Sequence, residues 1–284
     1  MIEVIDRIST YPGRVQLTPV AGQENTYDMV RADDPIEVGT PINKALFDSY
    51  AAQIYAITQN VDNLLFKLSQ RVQIGLLNDG ALFGLYENGV LVPYIKLQSS
   101  YRTNVGYSAI ERATVLRLDC VTTMSYRDSD EDPLYDGSNI DLWLQNGFIN
   151  TLDAATQNVL QEVHVQSSKA DNGSLDILRK VFLLSLEDYN YDGLGGFPTI
   201  GYNLLYFSDN SRRISNYKGT PIAYYTRSFG TGDMIAVIRP DGTAEAVTAT
   251  TVAGVRPAFT LPLTFEVTAG MPSTANVMAT AGVI

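Results

Sequence analysis

The most regular hydrophobic pattern in the chain lies at residues 46–72, where apolar side chains return alternately after three and four positions. A helix is predicted to begin at Thr40-Pro41, with Thr40 as its N-cap and Pro41 at its first helical position. The alternation continues over three heptads, which is the coiled-coil repeat. The two seam positions hold Phe47, Ile54, Val61 and Leu68, and Tyr50, Ile57 and Leu64.

This apolar seam predicts that the helix packs against copies of itself. No asparagine interrupts it, and bulky and β-branched residues share one seam position, which fits three strands at least as well as two. A single amphipathic helix that packs on its own domain shows similar spacing and is the alternative. We expect a trimeric coiled-coil helix at 46–72.

The segments on either side of this helix have different patterns. Residues 1–45 are interrupted by Pro and Gly and contain short strand-like runs such as 14–18, which predicts an extended N-terminal arm that needs a partner surface. Residues 73–262 form the predicted head, in which Asn88-Gly89 joins the two strands of a hairpin. The nearly uncharged tail at 263–284 suits an edge strand or an intersubunit contact.

Further elements of the head follow from capping residues and short apolar runs. Ser138 caps one short helix, and a second helix is predicted from about Leu152 to Val163. A few short helices among many strands predict an α+β fold. Additional strands are expected at 113–121, 180–185, 222–227, 234–239 and 243–250.

Charge and segment composition exclude several classes of partner. With 20 Lys and Arg against 31 Asp and Glu, the net charge of −11 disfavours nucleic acid. No apolar run reaches the length of a membrane span, so no membrane insertion is expected. The N-terminus lacks a basic segment followed by an apolar run, so we expect no signal peptide and synthesis in the cytoplasm.

Catalytic residue types are scarce. A Ser-His-Asp triad would have to include His164, the one histidine of the chain. Cys120, the one cysteine, lies in a predicted strand and is expected to be a small buried hydrophobe. Since no motif indicates paired carboxylates either, we expect no enzymatic activity.

One acidic segment resembles half of a calcium loop. Asp188, Asn190 and Asp192 occupy the first three ligand positions and Gly193 the turn position, but Thr199 stands where a bidentate Glu is needed. A solvated acidic turn is the simpler interpretation, with a weak calcium site as the alternative. No other cofactor is expected.

Tyrosine is more abundant than phenylalanine, at 17 residues against 10. Tyrosine combines a large contact area with a polar end, which suits recognition surfaces and sugar stacking. Clusters occur at Tyr189/Tyr191, Tyr202/Tyr206, Tyr217 and Tyr224/Tyr225, beside arginines. The candidate ligand contacts are Tyr189, Tyr191, Arg212, Tyr217 and Phe229.

Segments 11–20, 27–33 and 39–44, which contain Tyr11-Pro-Gly13 and Gly39-Thr-Pro41, resemble the N-terminal segment of bacteriophage tail proteins. Such a segment precedes an unrelated fibre or receptor-binding domain in many of those chains. This resemblance covers about 45 residues and implies that the arm docks to the tail.

A second resemblance covers about 80–262. Thr114-Val-Leu-Arg117, 135–144, 181–185, 225–228 and 254–259 with Gly254-Val-Arg-Pro-Ala258 resemble a C-type-lectin-like domain of phage and prophage tail proteins. Where that family has tryptophan before Leu-Arg-Ser, this chain has Tyr224, Tyr225 and Thr226, so no ligand is carried over. Arg227 and Arg256 lie in these motifs and are expected to tie loops to the core by hydrogen bonds.

Together these features predict a homotrimeric virion tail protein, either a tail fibre or a receptor-binding protein. Its N-terminus would dock to other tail or baseplate proteins, and its head would contact a glycan or protein of the host surface. An architectural baseplate or tail-tip subunit without receptor binding is the first alternative, and an enzyme that degrades host glycans is the second.

Overall fold

The computed structural model divides the chain into two compact units, Met1–Phe66 and Lys67–Ile284. Each unit is described by itself below. The residues that the structure describes are 15–24, 27–31, 44–102, 109–129, 134–168, 173–191, 194–230 and 234–269.

The first unit contains a two-stranded antiparallel sheet and most of a helix. Strands β1 (Val15–Pro19) and β2 (Tyr27–Arg31) pair with Val15 opposite Arg31. Helix α1 runs over Lys44–Ser69. This unit holds the segment in which the sequence predicts an arm and a helix.

The predicted α+β fold with a trimeric coiled coil is wrong, because strands dominate the described residues. Along α1, the seam side chains of Phe47, Ile54 and Ile57 are 62–65% exposed, and Tyr50 is 38% exposed, so these residues form no coiled coil in the structure. Heptad spacing reports the periodicity of an amphipathic helix and does not by itself show what covers its apolar face. The side chains of the remaining seam residues, Val61, Leu64 and Leu68, lie outside the described part of the chain.

The second unit is built on a seven-stranded antiparallel sheet. Its strands are β3 (Arg71–Gln73), β4 (Leu82–Glu87), β5 (Val90–Gln98), β6 (Arg112–Arg117), β10 (Val181–Phe182), β17 (Ala258–Pro262) and β18 (Glu266–Ala269). They follow one another across the sheet in the order β10-β17-β6-β5-β4-β18-β3.

A five-stranded sheet with the order β15-β14-β13-β16-β7 forms the other large element of this unit. Only β13 and β16 run parallel; the other neighbours within this sheet are antiparallel. Two short pairs complete the described strands, β8 with β9 and β11 with β12. The bounds are β7 (Thr122–Ser125), β8 (Val163–Ser168), β9 (Ser174–Arg179), β11 (Asn216–Tyr217), β12 (Thr220–Pro221), β13 (Tyr224–Gly230), β14 (Met234–Ile238), β15 (Ala244–Thr248) and β16 (Val252–Val255).

The predicted hairpin at Asn88-Gly89 is confirmed. Asn88 has a φ of 48° and Gly89 a φ of 79°, and Glu87 lies opposite Val90 in the antiparallel pair of β4 and β5. A two-residue turn of this kind requires positive φ at both central residues, which Asn and Gly adopt at low cost.

Two short α-helices lie in the second unit. In α2 (Asn139–Trp143), the Ser138 hydroxyl accepts a hydrogen bond from the Asp141 backbone N–H at 3.1 Å, as the sequence predicts. The helix predicted at 152–163 is shorter: α3 covers Ala154–Val159, because Asp153 caps it and β8 begins at Val163. The remaining helical turns are 3₁₀ turns at Ile74–Leu76, Ile149–Thr151, Leu205–Phe207 and Asn210–Arg213 and a π-helical turn at Leu144–Phe148.

Buried side chains of both large sheets join in one hydrophobic cluster. Tyr94 packs edge-on against Phe259 at a ring-centroid distance of 5.6 Å, and Tyr126 lies 5.2 Å from Tyr225. Every residue of β13 is buried, so both Tyr224 and Tyr225 belong to the core although they point to opposite faces.

The predicted tail contributes to the sheet of its own chain. Strand β18 lies between β3 and β4, with Val267 opposite Val72 and Thr268 opposite Gly84. Residues after 269 lie outside the described part. None of the helices that the structure describes combines the length and the apolar character needed to cross a membrane.

Candidate functional site

A groove of about 390 Å³ opens on the surface of the second unit, and we call it the tyrosine groove. Two parts of the chain far apart in sequence form it: Asp79, Leu97 and Gln98, which lie before β4 and at the end of β5, and lining residues between 202 and 212. Leu205 in the second segment is 87% exposed. The other lining residues used below are Asp79, Gln98, Tyr202, Asn203, Tyr206 and Arg212.

Each tyrosine of the groove carries a stacked guanidinium group. The Cζ atom of Arg102 lies 5.6 Å from the ring centroid of Tyr202, and that of Arg212 lies 5.4 Å from the ring centroid of Tyr206. Arg102 Nη1 donates to the Tyr202 hydroxyl at 3.5 Å, and Arg212 Nη1 donates to the Tyr206 carbonyl at 3.1 Å. The cation–π attraction orients both arginines.

The ring of Tyr206 is held against backbone on one side. A Cβ atom at Gly80, whose φ is +86°, would lie 3.3 Å from Cδ2 of Tyr206, so the glycine lets the ring approach closely. Phe207 contacts the same ring edge-on at 5.0 Å. These contacts fix the ring plane before any ligand is bound.

An acidic group of the groove is balanced by a buried cation. Lys96 Nζ lies 3.5 Å from Asp79 Oδ1 and donates to the Leu77 carbonyl at 2.5 Å. The lysine side chain is 1% exposed while the aspartate is 57% exposed. The carboxylate therefore faces solvent with its countercharge beneath it.

A buried ion pair positions Tyr202 from behind the groove. Arg227 Nη1 lies 2.5 Å from Asp188 Oδ2, and Asp188 Oδ1 accepts a hydrogen bond from the Tyr202 backbone N–H at 2.7 Å. Arg227 also donates to the carbonyls of Gln166 and Leu183, at 2.7 and 2.6 Å. The hydrogen bonds expected of Arg227 are thus present, and they connect the groove to the core.

A second buried arginine positions the segment that carries Arg212. Arg213 donates to the carbonyls of Tyr189 and Asn190, both at 2.7 Å, and to Asn210 Oδ1 at 2.5 Å. Arg256, also buried, donates to the Tyr224 hydroxyl and the Arg117 carbonyl at 3.1 and 3.0 Å, as expected of that residue.

The structure places the five predicted contact residues apart. Tyr189 and Phe229 are 0% and 2% exposed, so they belong to the core and cannot touch a ligand. Tyr191 is half-buried under the Arg213 guanidinium, and Tyr217 is half-buried beside Lys218. Of the five, Arg212 alone lines the tyrosine groove.

The sequence shows Tyr202 and Tyr206 as a tyrosine cluster, but the candidate ligand contacts predicted from it include neither residue. The closeness of both tyrosines to Arg212 in the sequence is the signal that could have identified them. Arg102 gave no signal, since it meets Tyr202 across 100 residues of sequence.

The predicted calcium loop directs its first carboxylate inward. Asp188 is 6% exposed and is held by Arg227, by Tyr202 and by the Ser185 backbone N–H at 2.9 Å, so it is not available to a cation. Asn190 Nδ2 donates to the Phe207 carbonyl at 3.5 Å. Asp192 lies outside the described residues, among which no three His, Cys, Asp or Glu side chains group as metal ligands do.

His164 and Cys120 lie at separate places. His164 Nδ1 is 2.8 Å from Asp176 Oδ2 on the neighbouring strand β9. Cys120 is buried with its Sγ 3.5 Å from Ser215 Oγ, and burial raises the pKa of its thiol, which the contact with Ser215 partly opposes. A buried thiol of this kind is the small hydrophobe that the sequence predicts.

The fold and the groove together define a mainly β protein with a preorganised arginine–tyrosine surface site. Its chain belongs to the family described as a domain of unknown function, DUF6273, whose model matches residues 111–263, more than half of the sequence. No curated protein and no solved structure matches the chain. Nothing in these comparisons links it to phage tails or lectin-like domains, so that resemblance stays a prediction.

Proposed function

We propose that the protein is a phage virion tail protein that attaches the particle to the host cell surface through the tyrosine groove. The observation that carries this proposal is the pair of tyrosine rings in one groove, each with an arginine over it, beside the side chains of Gln98 and Asn203. Aromatic faces next to planar polar groups favour saccharide contacts and other surface recognition.

The rigidity of the groove supports a binding role. Asp188 and Arg227 hold the backbone of Tyr202, and Arg213 holds the segment around Arg212. Side chains that are ordered before binding lose less conformational entropy when the ligand arrives, which raises affinity for a given contact area.

The resemblance of residues 1–45 to tail-attachment segments supports the location. In this proposal the N-terminal segment contacts other tail or baseplate proteins, and the second unit is displayed toward a host glycan or protein. The two compact units, Met1–Phe66 and Lys67–Ile284, suit such a division of labour.

Adsorption of the full-length protein to host cells tests the attachment role. We expect fluorescently labelled protein to bind cells, and the double variant Tyr202→Ala/Tyr206→Ala to bind about tenfold more weakly, because each removed ring takes away a large contact. Tyr86→Ala is the matched control, since Tyr86 is a partly exposed tyrosine outside the groove. Equal binding by both variants would contradict the proposal.

Immunogold labelling of phage particles that contain the protein tests the location. Gold at the tail extremity is the expected result, and label confined to other parts of the particle contradicts it. Tail label without cell adsorption would instead identify an architectural baseplate subunit, and release of reducing ends from cell-wall polysaccharide would identify a glycan-degrading enzyme.

A further inference from the structure

We infer that the tyrosine groove binds a saccharide that bears a carboxylate, with Arg102 and Arg212 contacting the acidic group and Tyr202 and Tyr206 contacting the sugar ring. This inference rests on the proposed attachment function and specifies the chemical class of its ligand.

Local charge is the first argument. The chain has a net charge of −11, yet Arg212 lines this groove and Arg102 lies over the ring of its Tyr202. Among the described residues no carboxylate lies within 4 Å of the Arg102 guanidinium, whereas Arg71, Arg117, Arg179, Arg227 and Arg239 all have one. The exposed Arg102 guanidinium therefore has no carboxylate partner within the described part of the chain.

Arg212 also retains capacity for an anion. Its Nε atom lies 3.4 Å from Asp209 Oδ2, but both side chains are about half exposed, so water screens that pair strongly. One Nη1 hydrogen is used by the Tyr206 carbonyl. The second Nη1 hydrogen and the two Nη2 hydrogens of this five-donor side chain can contact a ligand.

The acidic residue of the groove does not cancel this charge. Asp79 is opposed by Lys96 Nζ at 3.5 Å, so the pair is close to neutral as seen from the groove. At physiological salt, charges farther than about 8 Å are largely screened, which makes the nearby arginines more important to a small ligand than the net charge of the chain.

The geometry favours a carboxylate on a ring. Each guanidinium uses an Nη1 hydrogen inside the protein, at the Tyr202 hydroxyl or the Tyr206 carbonyl, and its remaining Nη hydrogens can meet a planar carboxylate. The tyrosine beside each guanidinium offers an apolar surface on which the C–H face of a pyranose can pack. The two groove tyrosines, each with its own arginine, suit two sugar residues of an acidic chain.

Calorimetry with the full-length protein tests this inference with three probes: tetragalacturonate, its methyl ester and acetate. We expect tetragalacturonate to bind at least about tenfold more tightly than either comparison probe, since one charge-assisted contact provides that factor. The ester retains the sugars without the charge, and acetate retains the charge without the sugars. Equal affinity for acid and ester overturns the inference, as does the absence of binding by tetragalacturonate.

Variants assign the binding to the groove. Arg102→Gln/Arg212→Gln is expected to weaken tetragalacturonate binding about tenfold or more. Arg239→Gln is the matched control, because Arg239 is as exposed as Arg212 and pairs with Glu245 at 3.6 Å outside the groove. Arg102→Lys/Arg212→Lys keeps the charge without the planar fork and should bind with intermediate affinity. An equal loss in the Arg239→Gln control overturns the assignment.

Failure of this inference differs from failure of the proposed function. If the protein adsorbs to cells but does not prefer tetragalacturonate over its methyl ester, the attachment role stands and the acidic-saccharide inference is wrong. Protein that binds tetragalacturonate through both arginines but adsorbs to no host cell keeps the ligand class and removes the attachment role.

Discussion

Asp188 and Arg227 form a buried ion pair that reaches the surface through a single backbone hydrogen bond. Arg227 Nη1 lies 2.5 Å from one carboxylate oxygen, and the other oxygen accepts from the Tyr202 N–H at 2.7 Å. The two side chains are 9% and 2% exposed. The position of a groove tyrosine therefore depends on a charge pair inside the core.

Asp188→Asn should destabilise the protein by about 3–5 kcal/mol, because it leaves the Arg227 charge buried without its counterion. Urea unfolding followed by circular dichroism measures the change. Glu245→Gln is the control, since it removes an acid from an exposed pair with Arg239 and should alter stability little. If both variants unfold at the same urea concentration, the ion pair does not stabilise the fold.

Gly201→Ala should lower stability more than Gly89→Ala. Both glycines have positive φ, +98° and +79°, so alanine costs about 1 kcal/mol at each. At Gly201 the new Cβ would also collide with Ser185 Oγ and lie 2.5 Å from Asp188 Oδ1, whereas at Gly89 it meets nothing within 4 Å. The collision adds roughly 1–3 kcal/mol.

The free energy of unfolding of the two glycine variants, measured side by side in urea, isolates that added cost. Gly89→Ala reports the backbone strain alone. A Gly201→Ala variant that is no less stable than Gly89→Ala would show that the loop before Tyr202 adapts freely, contrary to the tight packing around the ion pair.

Alkaline pH should destabilise the protein progressively above about pH 10. Burial raises the pKa of Tyr224 to about 12, with Arg256 limiting the rise, and burial also raises the pKa of Tyr94, Tyr126 and Tyr189. Unfolded tyrosine ionises near pH 10, so the unfolded chain loses these protons first. Stability from this source is full below about pH 10 and falls as pH rises toward 12.

Absorbance of tyrosinate at 295 nm and circular dichroism, recorded together against pH, check this expectation. The buried tyrosines should ionise together with the loss of ellipticity. Complete ionisation of every tyrosine while the native spectrum persists would contradict their burial.

Cys120 should react slowly with a thiol reagent in the native protein. Its thiol is buried, burial raises its pKa, and a Cβ at Gly254 would lie 2.6 Å from its Sγ, which shows how closely the backbone covers it. Only the thiolate is nucleophilic, so both effects slow the reaction. Colour development with Ellman's reagent should be fast in guanidinium and at least about a hundredfold slower without it. Equal rates would place the thiol at the surface.

Local features of the fold were predictable where one or two residues decide the conformation. Asn88-Gly89 specifies its turn through positive φ, and Ser138 specifies the start of α2 through a side-chain hydrogen bond. The strands β14 and β15 lie within the segments 234–239 and 243–250, where the sequence predicts strands. The turn and the helix cap depend only on residues that are close together in sequence.

The fold class and the groove depend on long-range contacts that periodicity does not report. The heptad of α1 describes an amphipathic helix, but the structure leaves its Phe47 and Ile54 exposed. Tyrosine is a residue type typical of ligand contacts, yet Tyr189 packs between Phe207 and Tyr224 in the core. Whether an aromatic residue faces solvent or core is set by the element that covers it, which the local sequence does not contain.

The placement of β18 has a consequence for biosynthesis. Strand β3 is among the first elements of the second unit to leave the ribosome, but its neighbour in the sheet is β18, with Arg71 opposite Thr268. The nascent chain must therefore keep β3 and one edge of β4 unpaired until residues 266–269 have emerged. Pairing between strands almost 200 residues apart in sequence slows folding and leaves strand edges exposed in the meantime.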